Sequence, residues 1–291
     1  MGYNRAYIKM NNKILILILM AIGFTTALSS CKKDEEPDNE TKIVVPEGAL
    51  PHLFSVSPTK KVFFANGNLQ YQASTNTWRF AANQWDTIGC GNILRSATYE
   101  GWIDLFSYGT SGYNGAVPYK FYGQYEDLPT NDISGTNYDW GGYNPISNAG
   151  NKAGLWRSLT YDEIRYMLYQ RSFIGYSFGL GKLKLQNDSE MIGVFIFPDD
   201  SENYSDNYSS NVIKMSVSEL EATGTVFLPY TGVINQMWSG SYFYDKDHLS
   251  VYLLGSPKCL EFVTGYLWPP TQSREYGCVR LVCDYKEQNN K

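Results

Sequence analysis

From His52 onward, apolar and aromatic residues come in short runs, each broken by Gly, Asn, Ser or Asp. Val62-Phe63-Phe64, Gly67-Asn68-Leu69-Gln70-Tyr71 and Trp78-Arg79-Phe80 are typical. This is the pattern of many short strands joined by turns. No repeat of solenoid or propeller length is present. Apolar residues make up 43% of the 291, enough for a sizeable core. Charged residues are 18%, against about 25% in ordinary domains, which argues against a coiled coil or a charged disordered chain. No linker interrupts residues 52–285, so a single domain over 51–286 is expected, with 287–291 as a polar tail.

Two helices are signalled. Thr160 and Glu163 form a capping box, with Leu159 before the cap and Ile164 placed to staple it. Tyr161, Ile164, Met167 and Leu168 then share one helical face, and the helix should end near Arg171. Ser216 with Glu219 predicts a second, shorter helix ending before Gly224. Ile192–Phe197 and Val226–Leu228 read as buried strands closed by prolines, and Cys278–Cys283 as the last strand. Residues 107–152, rich in Gly, Asn and Tyr, read as long irregular loops. The expected class is α+β, mostly β.

The N-terminus reads as an export signal. Arg5, Lys9 and Lys13 precede an apolar run, Ile14 to Phe24. That run falls short of the roughly 20 residues needed to span a bilayer. It ends in Leu28-Ser29-Ser30-Cys31, which resembles the lipobox of bacterial lipoproteins. The resemblance implies cleavage after residue 30 and lipidation of Cys31, which would anchor the chain to a membrane through its acyl chains. Lys32-Lys33-Asp34-Glu35-Glu36 resembles the tag of lipoproteins displayed on the outer membrane of Bacteroidota, facing the exterior. Residues 31–50 are expected to be a disordered tether. Removing residues 1–30 takes away three basic side chains and deepens the formal charge from −5 to −8. With no basic cluster, nucleic acid is not an expected partner.

Beyond Cys31, the cysteines are Cys90, Cys259, Cys278 and Cys283. An exported chain can form disulfides. Cys278 and Cys283, about 16 Å apart along a strand, are too distant to bond each other. If Cys259–Val263 pairs antiparallel with 277–283, Cys259 falls opposite Cys283. That is the favoured pair, with four free thiols as the alternative.

Several segments together resemble a known group. Trp156-Arg157-Ser158-Leu159-Thr160-Tyr161-Asp162-Glu163, with Tyr166 and Arg171, resembles a helix start of the formylglycine-generating (sulfatase-modifying factor) family. Gly277-Cys278-Val279-Arg280-Leu281-Val282 resembles that family's closing strand. Both signatures also occur in the Fibrobacter major paralogous domain and in related surface lipoproteins of gut Bacteroidota. Those lipoproteins are further resembled at Phe54–Ser57, Gly67–Tyr71, Gly193–Asp200 and Val226–Pro229. The resemblance covers residues 54–284 and implies a C-type-lectin-like domain with long irregular loops. The enzyme's activity is not implied. Its cysteine pair follows a Gly-Ser-Tyr-like segment, whereas here Gly240-Ser241-Tyr242 leads into Phe243-Tyr244-Asp245. Cys278 and Cys283 share the pair's spacing but fall on opposite faces of a strand.

Other chemistry is weakly marked. His52 and His248 are the two histidines, and neither accompanies a nucleophile motif. No spacing suits zinc. No cofactor or metal is expected: the acidic loop Asp199-Asp200-Ser201-Glu202 with Asp206 offers oxygen ligands that would suit calcium, but in a spacing that is not an EF-hand's, and a solvated loop without metal is the preferred reading. The 24 tyrosines are the strongest functional hint, because such rings give rigid contact area with a polar end. Tyr230, Trp238, Tyr242, Tyr244, Tyr266 and Trp268 are the candidate ligand-binding residues. The expected protein is a non-catalytic, surface-anchored module for glycans or surface proteins. The alternatives are a polysaccharide-active enzyme and a structural subunit of a surface complex.

Overall fold

The computed structural model describes residues 43–89, 96–119, 131–171, 177–201, 213–230 and 277–287, and the backbone of five strands between 233 and 272. The signal segment, Cys31 and the tether as far as Lys42 lie outside the described residues. The compact unit begins at Ile43, not at residue 51. Leu50 donates its N–H to Phe64 O at 2.8 Å, and Ala49 bridges to Ala65. The last part of the expected tether is therefore folded, because Leu50 has an apolar cluster to pack against.

Among the described residues, short strands dominate, as the punctuated sequence requires. β1 (Phe54–Ser55), β2 (Lys61–Phe64) and β15 (Val282–Asp284) form one sheet in the order β1-β2-β15. Val282 lies opposite Phe64 and Cys283 opposite Phe63, so the start and end of the unit close on each other. β3 (Leu69–Gln72), β4 (Thr77–Phe80) and β5 (Trp102–Ile103) form a second sheet in the order β4-β3-β5. Its outer edge is not left open. The Asn148 side-chain amide accepts from Phe80 N and donates to Phe80 O, and Ser147 N donates to Trp78 O.

The third sheet runs β8-β6-β7-β9, from β6 (Phe178–Lys184), β7 (Glu190–Ile196), β8 (Ile213–Ser216) and β9 (Val226–Pro229). β6 and β7 are an antiparallel hairpin, β9 is antiparallel to β7, and β8 is parallel to β6. A helix packs on each face of this sheet. α2 (Tyr161–Tyr169) sits with Phe178, Val194, Ile196, Val226 and Leu228 in one apolar cluster. α3 (Val217–Thr223) sits with Leu183, Phe195 and Phe227 in another. Alternation along the strands sends successive residues to opposite clusters. α1 (Trp140–Tyr143) is a single turn.

Both capping boxes form. Glu163 N donates to Thr160 Oγ1 and Thr160 N to Glu163 Oε2; Ser216 and Glu219 do the same. Leu159 and Ile164 are buried together, as a staple requires. Tyr161 is only half-buried, so the core face of α2 is Ile164, Met167 and Leu168.

Cys278–Cys283 is not one regular strand. Regular pairing starts at Val282, while Gly277 bridges to Phe106 and the carbonyls of Val279 and Leu281 accept from Leu69 N and Ala65 N. This segment is a partition between cores. Cys278 and Val282 face the α2 cluster, and Val279, Leu281 and Cys283 face the cluster built on Trp78, Trp140 and Trp156. The backbone of β10 (Val233–Gln236) and β11 (Tyr242–Asp245) forms a hairpin, and β12 (Leu249–Leu253), β13 (Lys258–Val263) and β14 (Tyr266–Gln272) form a meander.

Candidate functional site

The aromatic residues picked out in the C-terminal third are distributed over separate elements. Tyr230 follows β9, donates its N–H to Ile192 O at 2.9 Å, and packs half-buried on the α2 cluster. Burial raises its phenol pKa. Tyr242 and Tyr244 occupy alternate positions of β11, opposite Gln236 and Ile234. Tyr266 and Trp268 occupy alternate positions of β14, opposite Val263 and Glu261. Trp238 and His248 lie outside the described residues.

The strand pairing expected to bring Cys259 opposite Cys283 is not formed. β13 is hydrogen-bonded on both sides, to β12 and β14, so neither edge is left for β15, which pairs with β2. Cys283 is a buried thiol outside any disulfide. Cys90 lies outside the described residues.

In the acidic loop, Asp199 is already engaged. It accepts from Ser55 N, Ser55 Oγ and Arg171 Nη1, and pairs with Lys61 at 3.1 Å. Burial would raise its pKa, but these donors hold it below the usual value. Asp200 faces His52 Nδ1 at 3.2 Å. Glu202 and Asp206 lie outside the described residues. Among the described residues no three His, Cys, Asp or Glu side chains gather as a metal site.

Two other carboxylates are fully buried. Asp104 takes Ile88 N at 2.7 Å and Gly89 N at 3.0 Å, one on each oxygen. Burial outweighs these bonds and pushes its pKa up to about 7. Asp139 accepts from Gly135 N and Ser158 N, both at 2.8 Å, and from Ser158 Oγ at 2.9 Å. Burial likewise pushes it up to about 6. Neither side chain is exposed to a substrate. Their geometry is that of braces for loop backbone.

The loops over 107–119 and 131–152 carry the most distinctive surface. Asp139 closes the turn at Gly135, and Arg157 ties the same region to α2 and β15. Its guanidinium is bidentate to Glu163 at 2.7 and 2.8 Å, and bonds Asp284 and Ser134 Oγ. Burial works against the Arg157 charge, but Glu163 and Asp284 raise its pKa above the usual value. Ser111 Oγ donates to Asn137 O at 2.6 Å, and Asn144 Nδ2 donates to Ser111 O at 2.8 Å. Trp140 and Trp156 are fully buried beneath.

On this braced floor three tyrosine rings meet. Tyr113 packs against Tyr138 at 5.0 Å and 89°, and against Tyr143 at 5.4 Å and 66°. Asn114 Nδ2 donates to the Tyr138 hydroxyl at 3.2 Å. Tyr143 is 43% exposed, while Tyr113 and Tyr138 are half-buried. The space beside Gly112, Gly115 and Gly135 is open. Residues 107–119 and 131–151 contain no lysine or arginine. The tyrosine excess pointed toward a ring surface but not to these rings. Their mutual contact depends on Asp139 and Asn144, which draw separate stretches of loop together.

The fold defines a class, α+β and mostly β. Compared with family models, curated proteins and solved structures, the chain has no match.

Proposed function

We propose that this protein is a lipid-anchored binding module of C-type-lectin-like fold, held on the outer membrane through Cys31, facing the cell exterior. Its ligand is a glycan or a surface protein, and it catalyses no reaction. The carrying observation is the cluster of Tyr143, which is exposed, with the half-buried Tyr113 and Tyr138, on braced loops rich in Gly, Ser and Asn. Rigid rings beside small polar residues are the composition of surfaces that bind by contact area and adaptable hydrogen bonds. The export signal and lipobox-like Leu28-Ser29-Ser30-Cys31 support the location.

The test is binding of the full chain to an array of mucin glycans and polysaccharides with calcium present, followed by crosslinked capture of partners from intact cells. Saturable binding to one glycan class, or one dominant surface-protein partner, is the expected result. Failure of both would end the reading.

A further inference from the structure

We propose that the corner enclosed by Tyr113, Tyr138 and Tyr143 is a subsite for one uncharged sugar ring, an inference that rests on the binding-module reading above. The two ring pairs meet at 89° and 66°, so the ring faces stand at an angle to one another and do not form a flat plate. A pyranose presents apolar C–H groups on its faces and hydroxyls around its rim. Aromatic faces take the C–H groups by dispersion and weak C–H contacts. The rim hydroxyls need neutral donors and acceptors, which the Asn114 side-chain carbonyl and the Tyr138 hydroxyl proton supply, beside the open space at Gly112, Gly115 and Gly135, whose N–H groups are already bonded within the loops.

Charge selects the sugar class. Sulfated, phosphorylated or sialylated glycans call for Arg or Lys. Residues 107–119 and 131–151, which carry the three rings, contain neither, and of their two acids Asp139 is buried as a brace. Scale separates a sugar from a protein partner. A stable protein interface buries about 800 Å² per partner around aromatic and Arg anchors. Here the one exposed large apolar side chain of the described loop is Tyr143. One exposed ring flanked by two half-buried ones is the scale of a single sugar unit.

The experiment titrates the full chain, in EDTA, against neutral oligosaccharides ending in glucose, galactose, mannose or N-acetylhexosamine, beside sialylated and sulfated counterparts. The expected result is binding of at least one neutral probe, weakened about threefold to tenfold by Tyr143→Ala and by Tyr113→Ala. Tyr143→Phe should stay within about twofold, since the ring carries the contact. Tyr169→Ala, an exposed ring on α2, should change nothing. Thermal unfolding of each variant checks that the fold is intact. Neutral-glycan binding untouched by both alanine variants would overturn the subsite while leaving the binding module standing. Binding confined to charged glycans, or no glycan binding by the wild-type chain, would also overturn it, and the crosslinked capture then decides the broader reading separately.

Discussion

At the scale of single residues, Arg280 is the side chain on which the cores converge. Its guanidinium donates to Asn68 Oδ1, Ala65 O, Gln84 O and Phe227 O, neutral oxygens drawn from three parts of the chain. Replacing it with Met would strand several of these buried acceptors, each worth about 1–3 kcal/mol. Arg280→Met should therefore unfold at markedly lower denaturant concentration, by a loss of about 3 kcal/mol or more, read by chemical denaturation. Asp104 predicts a pH dependence. Its folded pKa, about 7, lies above that of an unfolded aspartate. Between those values the native state holds the extra proton. Stability is greatest below the unfolded pKa and is lost as pH rises through about 7. Asp104→Asn should flatten the slope of unfolding free energy between about pH 4 and 7 by up to about 1.4 kcal/mol per pH unit. An unchanged slope would mean that Asp104 is already ionised across that range. The sequence shows Arg280 and Asp104 as ordinary charged residues, because nothing local distinguishes a buried charge from a solvated one.

At the scale of elements, the helices were readable and the closing strand was not. Capping boxes are local chemistry, three residues apart, so Thr160 with Glu163 and Ser216 with Glu219 appear in the chain itself. Thr160→Ala should cost about 1 kcal/mol through loss of the cap, measured by thermal or chemical unfolding. Gly224 ends α3 in the left-handed region at φ 62, with the His52 ring against its Cα. Gly224→Ala should cost more than the strain of about 1 kcal/mol that φ imposes, because an added methyl would also overlap His52. Replacing His52 with Ala in the same chain should recover part of that loss. Cys278–Cys283 misled because an apolar run reads as a strand whichever partners its backbone finds. Here three different stretches share its hydrogen bonds: Leu69, β2 with the adjoining Ala65, and Arg157.

At the scale of the whole molecule, the proposed lipid anchor and the thiol state are separately testable. Cys31→Ser should abolish incorporation of labelled fatty acid and release the chain from membranes, if the lipobox-like segment is processed as it reads. Denaturation in iodoacetamide under non-reducing conditions should alkylate Cys283, whose buried thiol is in no disulfide. The sequence by itself determined the class, the two helices, the loop character of the described residues 107–119 and 131–152, and the expectation of export, because each rests on residues near one another in the chain. The tertiary structure decided which rings reach the surface together, which carboxylates are braces, and which strand β13 pairs with. These depend on contacts between distant segments, where burial and strand pairing are settled by the packing of the whole unit. A tyrosine in a Gly-rich loop looks the same in sequence whether it lies beneath Trp140 or beside open space. Only the closure of β2 against β15 and the hold of Asp139 on Gly135 and Ser158 tell the two apart.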